Sequence, residues 1–577
     1  MSVVAGRRRI QCNRITEFLT LLAALLALNS ALTFQNVWPT PSIRWVPEFS
    51  VEWATLLLVL VGAALSGKLP GKAMRRALVG VYLLLVIGRY LDVTVPALMG
   101  RSINLYWDSQ HVFHVVAMFL TSVSLWRLLL MAAALLLASA GLIGLLHWSL
   151  GVVLQALDRP ADRRWIGALA VVLLGLYGTG RLSLLLPTER WFALPVSGWF
   201  TEQVSQVLKA TVFQDSHWLN AQPPLVHSNL ERLQRGDFFL WFFESYGALV
   251  FDDPRFATPL AGEFVGLERA LASVGWHSIS ARVESSTFGG SSWLAHSSVL
   301  SGLRIADQNN YQTLLASRRD TLVQRFAAAG YRTVAIMPGL KFPWPEGQFY
   351  GFDRIYDNQA LNYTGPTYGW WGVPDQYSLY RVHQIEVAAT DRAPLLVLFP
   401  TINSHAPFAP LPPYQADWGQ IDIHRAALVS ESAELGHRLL DGEALAAAYR
   451  RSMRYNLAVL SGYISQFAPA KALFMVLGDH QPPAIVGGRD ISWQVPVHLF
   501  SRDPALLQRF VDLGFKQGLV PDQSALGNIE ALTTLLLSAL SDEPPAQQRL
   551  PSTGRAHEPD DIDSEGYAEQ AQRQTGP

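Results

Sequence analysis

The stretch DFFLWFFES, residues 237–245, places six apolar residues between Asp237 and Glu244 with no alternation. A strand with one wet face alternates apolar and polar residues, so a run apolar at every position needs cover on both sides. Four later runs have the same character: TVAIMP (333–338), PLLVLFPTI (394–402), KALFMVLGDH (471–480) and VPVHLFS (495–501). Helical periodicity lies between them, for example over 311–329 and 443–467. Buried strands separated by helices predict an α/β domain with a mainly parallel sheet, assigned to residues 226–540. Ligands of such sheets bind beyond the carboxyl ends of the strands, so the polar residues that close these runs are the ones to weigh.

Upstream the pattern is different. The chain has 577 residues, of which 50% are hydrophobic, and that excess sits almost wholly before about residue 190. Five apolar segments, roughly 15–34, 51–67, 77–98, 128–150 and 165–186, each approach the ~20 residues that cross a hydrocarbon layer. Residues 1–190 therefore read as a membrane domain of about five transmembrane helices. A linker over 191–225 follows, and a polar, disordered tail over 541–577 ends the chain. Arg7, Arg8 and Arg9, then Lys68, Lys72, Arg75 and Arg76, then Arg159, Arg163 and Arg164 fall in alternate loops. That places the amino terminus inside and the α/β domain outside the cytoplasm of a cell (inner) membrane. Asp92, His111 and His114 either line a cleft between helices or sit at the interface. The net charge of -1 shows no basic face for nucleic acid. The single cysteine, Cys12, excludes a disulfide framework and a cysteine zinc site within one chain.

Glu244 closes the first run, Asp479 and His480 close KALFMVLGDH, and His405 follows PLLVLFPTI. Two carboxylates, an imidazole and a serine oxygen can form a tetrahedral shell for a divalent cation. The serine comes from FGGSSWLAHSSVLSG (288–302), in which two glycines precede Ser291 and Ser292 and an apolar helical rhythm begins at Trp293. One reading is a turn with a serine cap. The other is a nucleophile at a helix start, where backbone N–H groups favour phosphate oxygens and a metal lowers the hydroxyl's pKa. The two readings are compatible.

Glu244 in FFESYG, the FGGSS turn, SHAPF (404–408) and Gly478-Asp479-His480, in that order after five membrane segments, resemble the alkaline phosphatase superfamily. The likeness is to its sulfatase-like branch of lipoteichoic acid synthases and phosphoglycerol transferases. The resemblance implies one divalent metal ion, manganese ahead of zinc or magnesium, held by Glu244, Ser292, Asp479 and His480. It puts the nucleophile at Ser292, with Ser291 the alternative, and makes His405 a contact for phosphoryl oxygens or a proton donor. It also implies a two-step transfer of a phospho-alcohol group from a phospholipid donor to an envelope glycan or glycolipid acceptor.

The sequence departs from that pattern in places. Where relatives carry a substrate-binding arginine, this chain reads KFPWPEGQFYGFD (341–353), leaving Lys341 or Arg354 to supply the charge. His296 stands four residues after Ser292, where relatives often have an acid, and is assigned packing or substrate contact. Trp370, Trp371, Gly372, Pro374 and Asp375 form a loop that lines the cleft or joins the core. His498 reads as a core histidine. Hydrolysis by a phosphodiesterase, phosphatase or sulfatase-like enzyme is one alternative, although no serine has the C/S-x-P-x-R context of a formylglycine sulfatase. A catalytically inactive membrane scaffold is another.

Overall fold

The computed structural model describes residues 2–113, 116, 125–182, 188–212, 217–220, 222–341, 344–366, 368, 372–421, 441–488 and 491–542. His114, Trp370, Trp371 and most of the carboxyl-terminal tail lie outside the described residues.

The apolar segments fall on helices α1 (Ser2–Ser30), α2 (Val51–Leu65), α3 (Lys72–Met99), α4 (Leu125–Leu157) and α5 (Pro160–Leu182). Of the described helices, α3, α4 and α5 are long and apolar enough to cross a membrane. Helix α2 has 15 residues, below the ~20 of a perpendicular span. Its Ala54, Leu57 and Leu60 join Leu25, Leu28, Leu150, Val153 and Ile166 in one helical core. Inside that core Arg89 of α3 is fully buried and donates to the backbone oxygens of Phe34 and Leu194. The stretch read as a linker includes another helix, α6 (Val196–Thr211), which packs on α3.

The outer part is one eight-stranded sheet. Its strands are β1 (Phe238–Phe243), β2 (His277–Glu284), β3 (Arg332–Ile336), β4 (Arg354–Tyr356), β5 (Leu395–Pro400), β6 (Leu473–Gly478), β7 (Gln494–Ser501) and β8 (Lys516–Gln517). Their order is β8-β2-β7-β6-β1-β5-β3-β4. Strands β6, β1, β5, β3 and β4 are mutually parallel, whereas β7 runs antiparallel to both β6 and β2. The sheet is therefore mostly parallel, with VPVHLFS and the short edge strand β8 as its antiparallel members.

Strand β1 shows why the runs are continuous. Phe239, Trp241 and Phe243 enter one core with α7 (Pro254–Ser273) and α10 (Gly442–Gln466). Phe238, Leu240 and Phe242 enter a second core on the other face, with Ala295 and Val299 of α8 (Ser292–Ser301). Successive side chains of a strand point to opposite faces, so six apolar residues in a row mean two dry faces. The periodicity over 311–329 belongs to two short helices rather than one. Thr321 and Gln324 form a capping box that starts the second, Leu322–Ala328, afresh.

Candidate active site

Register brings the acids together. Phe243 of β1 pairs with Gly478 of β6, so Glu244 and Asp479 leave the sheet side by side. A side chain at Gly478 is impossible there, because its Cβ would stand 1.8 Å from the carbonyl oxygen of Tyr246. On the other flank Thr401, just after β5, donates its N–H to Phe242 O and accepts the Glu244 N–H on its hydroxyl at 3.1 Å. Ser404 Oγ then donates to Glu244 O at 2.7 Å, and Asn456 of α10 donates to Ser404 Oγ at 2.8 Å. These bonds pin the loop that carries His405.

The FGG turn is attached to the Gly-Asp-His loop. Gly289 N–H donates to Gln481 O at 3.1 Å, and the Ser285 hydroxyl donates to Asp479 O. The turn delivers Ser292 Oγ to 2.8 Å from Glu244 Oε2 and 3.1 Å from His480 Nε2. Ser291 takes the left-handed conformation at φ 62° and makes no side-chain capping bond. Ser292 is the first residue of α8, and its hydroxyl faces the cluster rather than an N–H of its own helix.

Glu244, Asp479 and His480 can each offer a ligand atom, all within 4.8 Å of one another, and all three are buried. Asp479 Oδ1 is consumed by two backbone donors, Ser245 N at 2.8 Å and His480 N at 2.7 Å. Its other oxygen, Oδ2, is buried and has no hydrogen-bond partner. An orphaned carboxylate oxygen in a dry site is costly, and a cation is the partner it lacks. His480 Nδ1 lies 2.7 Å from Gln481 O. A carbonyl can only accept, so Nδ1 carries hydrogen and a neutral ring presents its Nε2 lone pair to the cluster. These donors fit a divalent cation.

The electrostatics agree. Burial raises the Glu244 carboxyl, but His480 and then His405 outweigh it and hold the group well below the usual carboxylate range. Burial and the Glu244 charge push Asp479 well above that range. Burial disfavours charge on His480, yet Asp479 and Glu244 lift it to about 9. Like charges crowded in a desolvated site retain a proton that a metal ion can displace.

His405 lies close enough to Glu244 to lower that carboxyl, and its Nδ1 donates to Ala406 O at 2.7 Å. His296, one helical turn beyond Ser292, is set against Phe242 with ring centroids 4.3 Å apart, and its Nε2 is 3.8 Å from Asp479 Oδ2. Asp375 holds the loop after β5. It begins helix α9 (Asp375–Val382), is buried, and accepts from Ile402 N at 2.9 Å and Asn403 N at 2.8 Å. Arg354 opens edge strand β4 and stacks over Tyr356, at the end of the sheet away from the cluster. Lys341 is on the loop after β3, on the cluster's side of the sheet. His498 is the core residue its pattern suggested, between Tyr246 Oη at 2.9 Å and Ser280 Oγ at 2.7 Å.

Residues 277–496 match the family model described as Sulfatase. The matched stretch is a sulfatase-like domain. The match begins at β2 and so takes in Ser292, His405, Asp479 and His480 but not Glu244. No curated protein matches the chain. Among solved structures, the lipoteichoic acid synthase LtaP from Listeria monocytogenes aligns at 15% identity and TM-score 0.34, covering 46% of this chain and 65% of LtaP. A protein of the alkaline phosphatase superfamily from Vibrio parahaemolyticus aligns at 19% identity and TM-score 0.34, over 53% of this chain and 67% of that one. Streptococcus pyogenes phosphoglycerol transferase GacH, in complex with sn-glycerol-1-phosphate, aligns at 10% identity and TM-score 0.32, over 57% and 83%. The chain thus spans just under two thirds of LtaP.

Sequence reasoning missed the braces. Thr401, Gln481, Ser285 and Asn456 orient the loops, and each is an ordinary polar residue beside a motif or on a helix far along the chain. The available signal was proximity: Thr401 and Gln481 directly follow strand ends already singled out.

Proposed function

We propose that this protein is a membrane-anchored, metal-dependent transferase that moves a phospho-alcohol group, phosphoglycerol-like, from a lipid donor to a glycan or lipid acceptor. The observation that carries the reading is Ser292 Oγ, held between Glu244 and His480 at the start of a helix. Glu244, Ser292, Asp479 and His480 would hold the divalent cation, manganese ahead of zinc or magnesium. When bound it supplies charge that lowers the hydroxyl's pKa and offsets negative charge on the phosphoryl oxygens.

Ser292 Oγ gives its proton to solvent and attacks phosphorus, while the bond from phosphorus to the lipid alcohol oxygen breaks. His405 protonates that departing oxygen, which leaves as a diacylglycerol-like alcohol. The group is then a phosphodiester on Ser292. The acceptor hydroxyl gives its proton to His405, attacks phosphorus and displaces Ser292 Oγ, which takes a proton back from solvent. The backbone donors at the start of α8 face the phosphate oxygens in both steps.

The membrane half supports a lipid donor and a multi-pass setting in the cell (inner) membrane. Arg75 bonds His147, Arg159 pairs with Glu17, and Arg163 bonds Ala64 O, all at one end of the helical bundle. The opposite end of α3 contacts the FGG turn. Basic residues at the far end favour a cytoplasmic position there and an extracytoplasmic outer domain.

The test is mass spectrometry of the detergent-purified protein incubated with defined phospholipids and manganese. The expected result is a phospho-alcohol adduct on Ser292 that is missing in Ser292→Ala. An adduct that persists in that variant overturns the assignment of the nucleophile.

A further inference from the structure

Basic residues gather where α3 begins, at the end of the bundle away from the outer domain, and one of them is set apart by its surroundings. Arg159 pairs there with Glu17 and Asp162, and Arg163 donates to Ala64 O. Arg75 pairs with no carboxylate among the described residues, and instead donates to His147 Nε2 of α4. An accepting imidazole nitrogen satisfies one N–H and leaves the guanidinium charge uncancelled. Arg75 Nε is buried and has no hydrogen-bond partner. Gly151 gives the guanidinium room, since a Cβ there would stand 3.0 Å from Arg75 Nη1. His147 and Gly151 are one turn apart on α4, so Arg75 reaches from α3 into a groove between the two helices.

Positive charge accumulates around it. Lys72 and Arg76 stand one turn apart on α3, both exposed, on either side of Arg75, and the first turn of that helix has no acid. Like charges so placed repel one another, and an anion between them removes the repulsion. Trp148, next to His147, is 44% exposed, which suits an indole at the level of lipid headgroups. We propose that the groove between α3 and α4 binds an anionic phospholipid, its phosphate on Arg75 and its negative charge offset by Lys72 and Arg76. The inference rests on reading this half of the chain as membrane-spanning, and it goes beyond the proposed reaction. From Arg75 to Met99, beside the FGG turn, α3 rises about 36 Å at roughly 1.5 Å per residue. A lipid here is therefore in the opposite leaflet from the donor and is not consumed. Its phosphate ties α3 to α4, whose most apolar stretch is not buried in the protein at all.

The test is native mass spectrometry of the full-length protein, stripped of lipid in detergent. It is offered phosphatidic acid, which carries no alcohol group for Ser292 to transfer, phosphatidylcholine with the same acyl chains, or inorganic phosphate. Phosphatidic acid should be retained roughly 5-fold or more over phosphatidylcholine, and Arg75→Gln should bring the two close to parity. Arg164→Gln, at an exposed arginine of α5 at the same end, should leave the ratio unchanged. Where Arg75→Gln does not fold, Lys72→Gln combined with Arg76→Gln carries the test and should lower the ratio at least about 2-fold. Equal retention of the two lipids by the wild type overturns the site. So does an equal fall in Arg164→Gln, which would trace the preference to net charge alone. Retention of inorganic phosphate in place of lipid leaves an anion site and overturns the lipid. Flotation with vesicles separates this inference from the reading beneath it. Protein that floats but shows no preference ends the lipid site only, whereas protein that floats with neither lipid ends the membrane reading and the site with it.

Discussion

Gly289 sits directly against the backbone of Met99, and a Cβ on the glycine would lie 2.1 Å from the Met99 carbonyl oxygen. The turn that carries Ser292 is therefore seated on the end of α3, a helix long and apolar enough to cross a membrane. Phe288 adds to the seat, its ring filling the space a side chain at Gly100 would need. Gly289 also has φ +64°, a conformation that costs an L-residue about 1–2 kcal/mol. Gly289→Ala should lower turnover at least 10-fold, because the turn must move and Ser292 moves with it. Gly262→Ala, at a helical site with nothing within 4 Å, should leave turnover unchanged. Wild-type turnover in Gly289→Ala would show that the contact with α3 does not position the nucleophile.

Ser291 and Ser292 should separate cleanly. Ser291 has φ 62° and no capping bond, so Ser291→Gly removes backbone strain without removing a contact that holds the turn. The gain is partly offset by the freer unfolded chain, leaving up to about 1 kcal/mol of added stability. Activity should survive, whereas Ser292→Ala should lose it. Loss of activity in Ser291→Gly with retention in Ser292→Ala would exchange the roles of the two serines.

The architecture was legible because β1 and β6 are buried on both faces and carry that burial in every residue. Strand β2 was not, since HSISARVE reads as a polar alternation, yet its interior is buried: Arg282 pairs with Asp252, and Ser280 bonds His498. The antiparallel course of β7 was equally hidden, because a buried antiparallel strand has the same apolar run as a parallel one. Glu244, Asp479 and His480 were legible as residues that end strands. Their convergence depends on the pairing of Phe243 with Gly478, which no local pattern encodes. The bonds of Asp375 to the backbone after β5 were not legible either, because a polar residue after a proline and glycine loop gives no sign of which distant N–H groups it accepts.

That bracing role is measurable. Asp375 accepts the N–H groups of Ile402 and Asn403, while Asn403 Oδ1 accepts the Asp375 N–H at 2.8 Å. Asp375→Ala leaves two backbone donors without partners, at about 1–3 kcal/mol each where they are buried. The loop carrying His405 should loosen, so the melting temperature and kcat should fall together. Asp375→Asn should fall as well, because its NH2 would meet one of the N–H groups. A variant with unchanged melting temperature and a raised KM would instead mark Asp375 as a substrate contact.

His498 should give the outer domain part of its acid sensitivity. Burial lowers its pKa from 6.5 to about 3, and the ring bonds Tyr246 and Ser280 as a neutral group. The folded state then refuses a proton that the unfolded chain accepts below about 6.5. Stability is lost as pH falls from 6.5 toward 3 and is level with respect to this residue above and below that window. Between pH 7 and pH 5 the loss is roughly 2 kcal/mol, from about 1.4 kcal/mol per pH unit once the unfolded histidine is charged. His498→Gln cannot take up that proton, so it should be less stable than the wild type at pH 7 through its lost hydrogen bonds. Its melting temperature should nevertheless drop less between pH 7 and pH 5. Equal drops in the two proteins would mean that His498 is not held neutral in the fold, and the acid response would then have to come from the carboxylates.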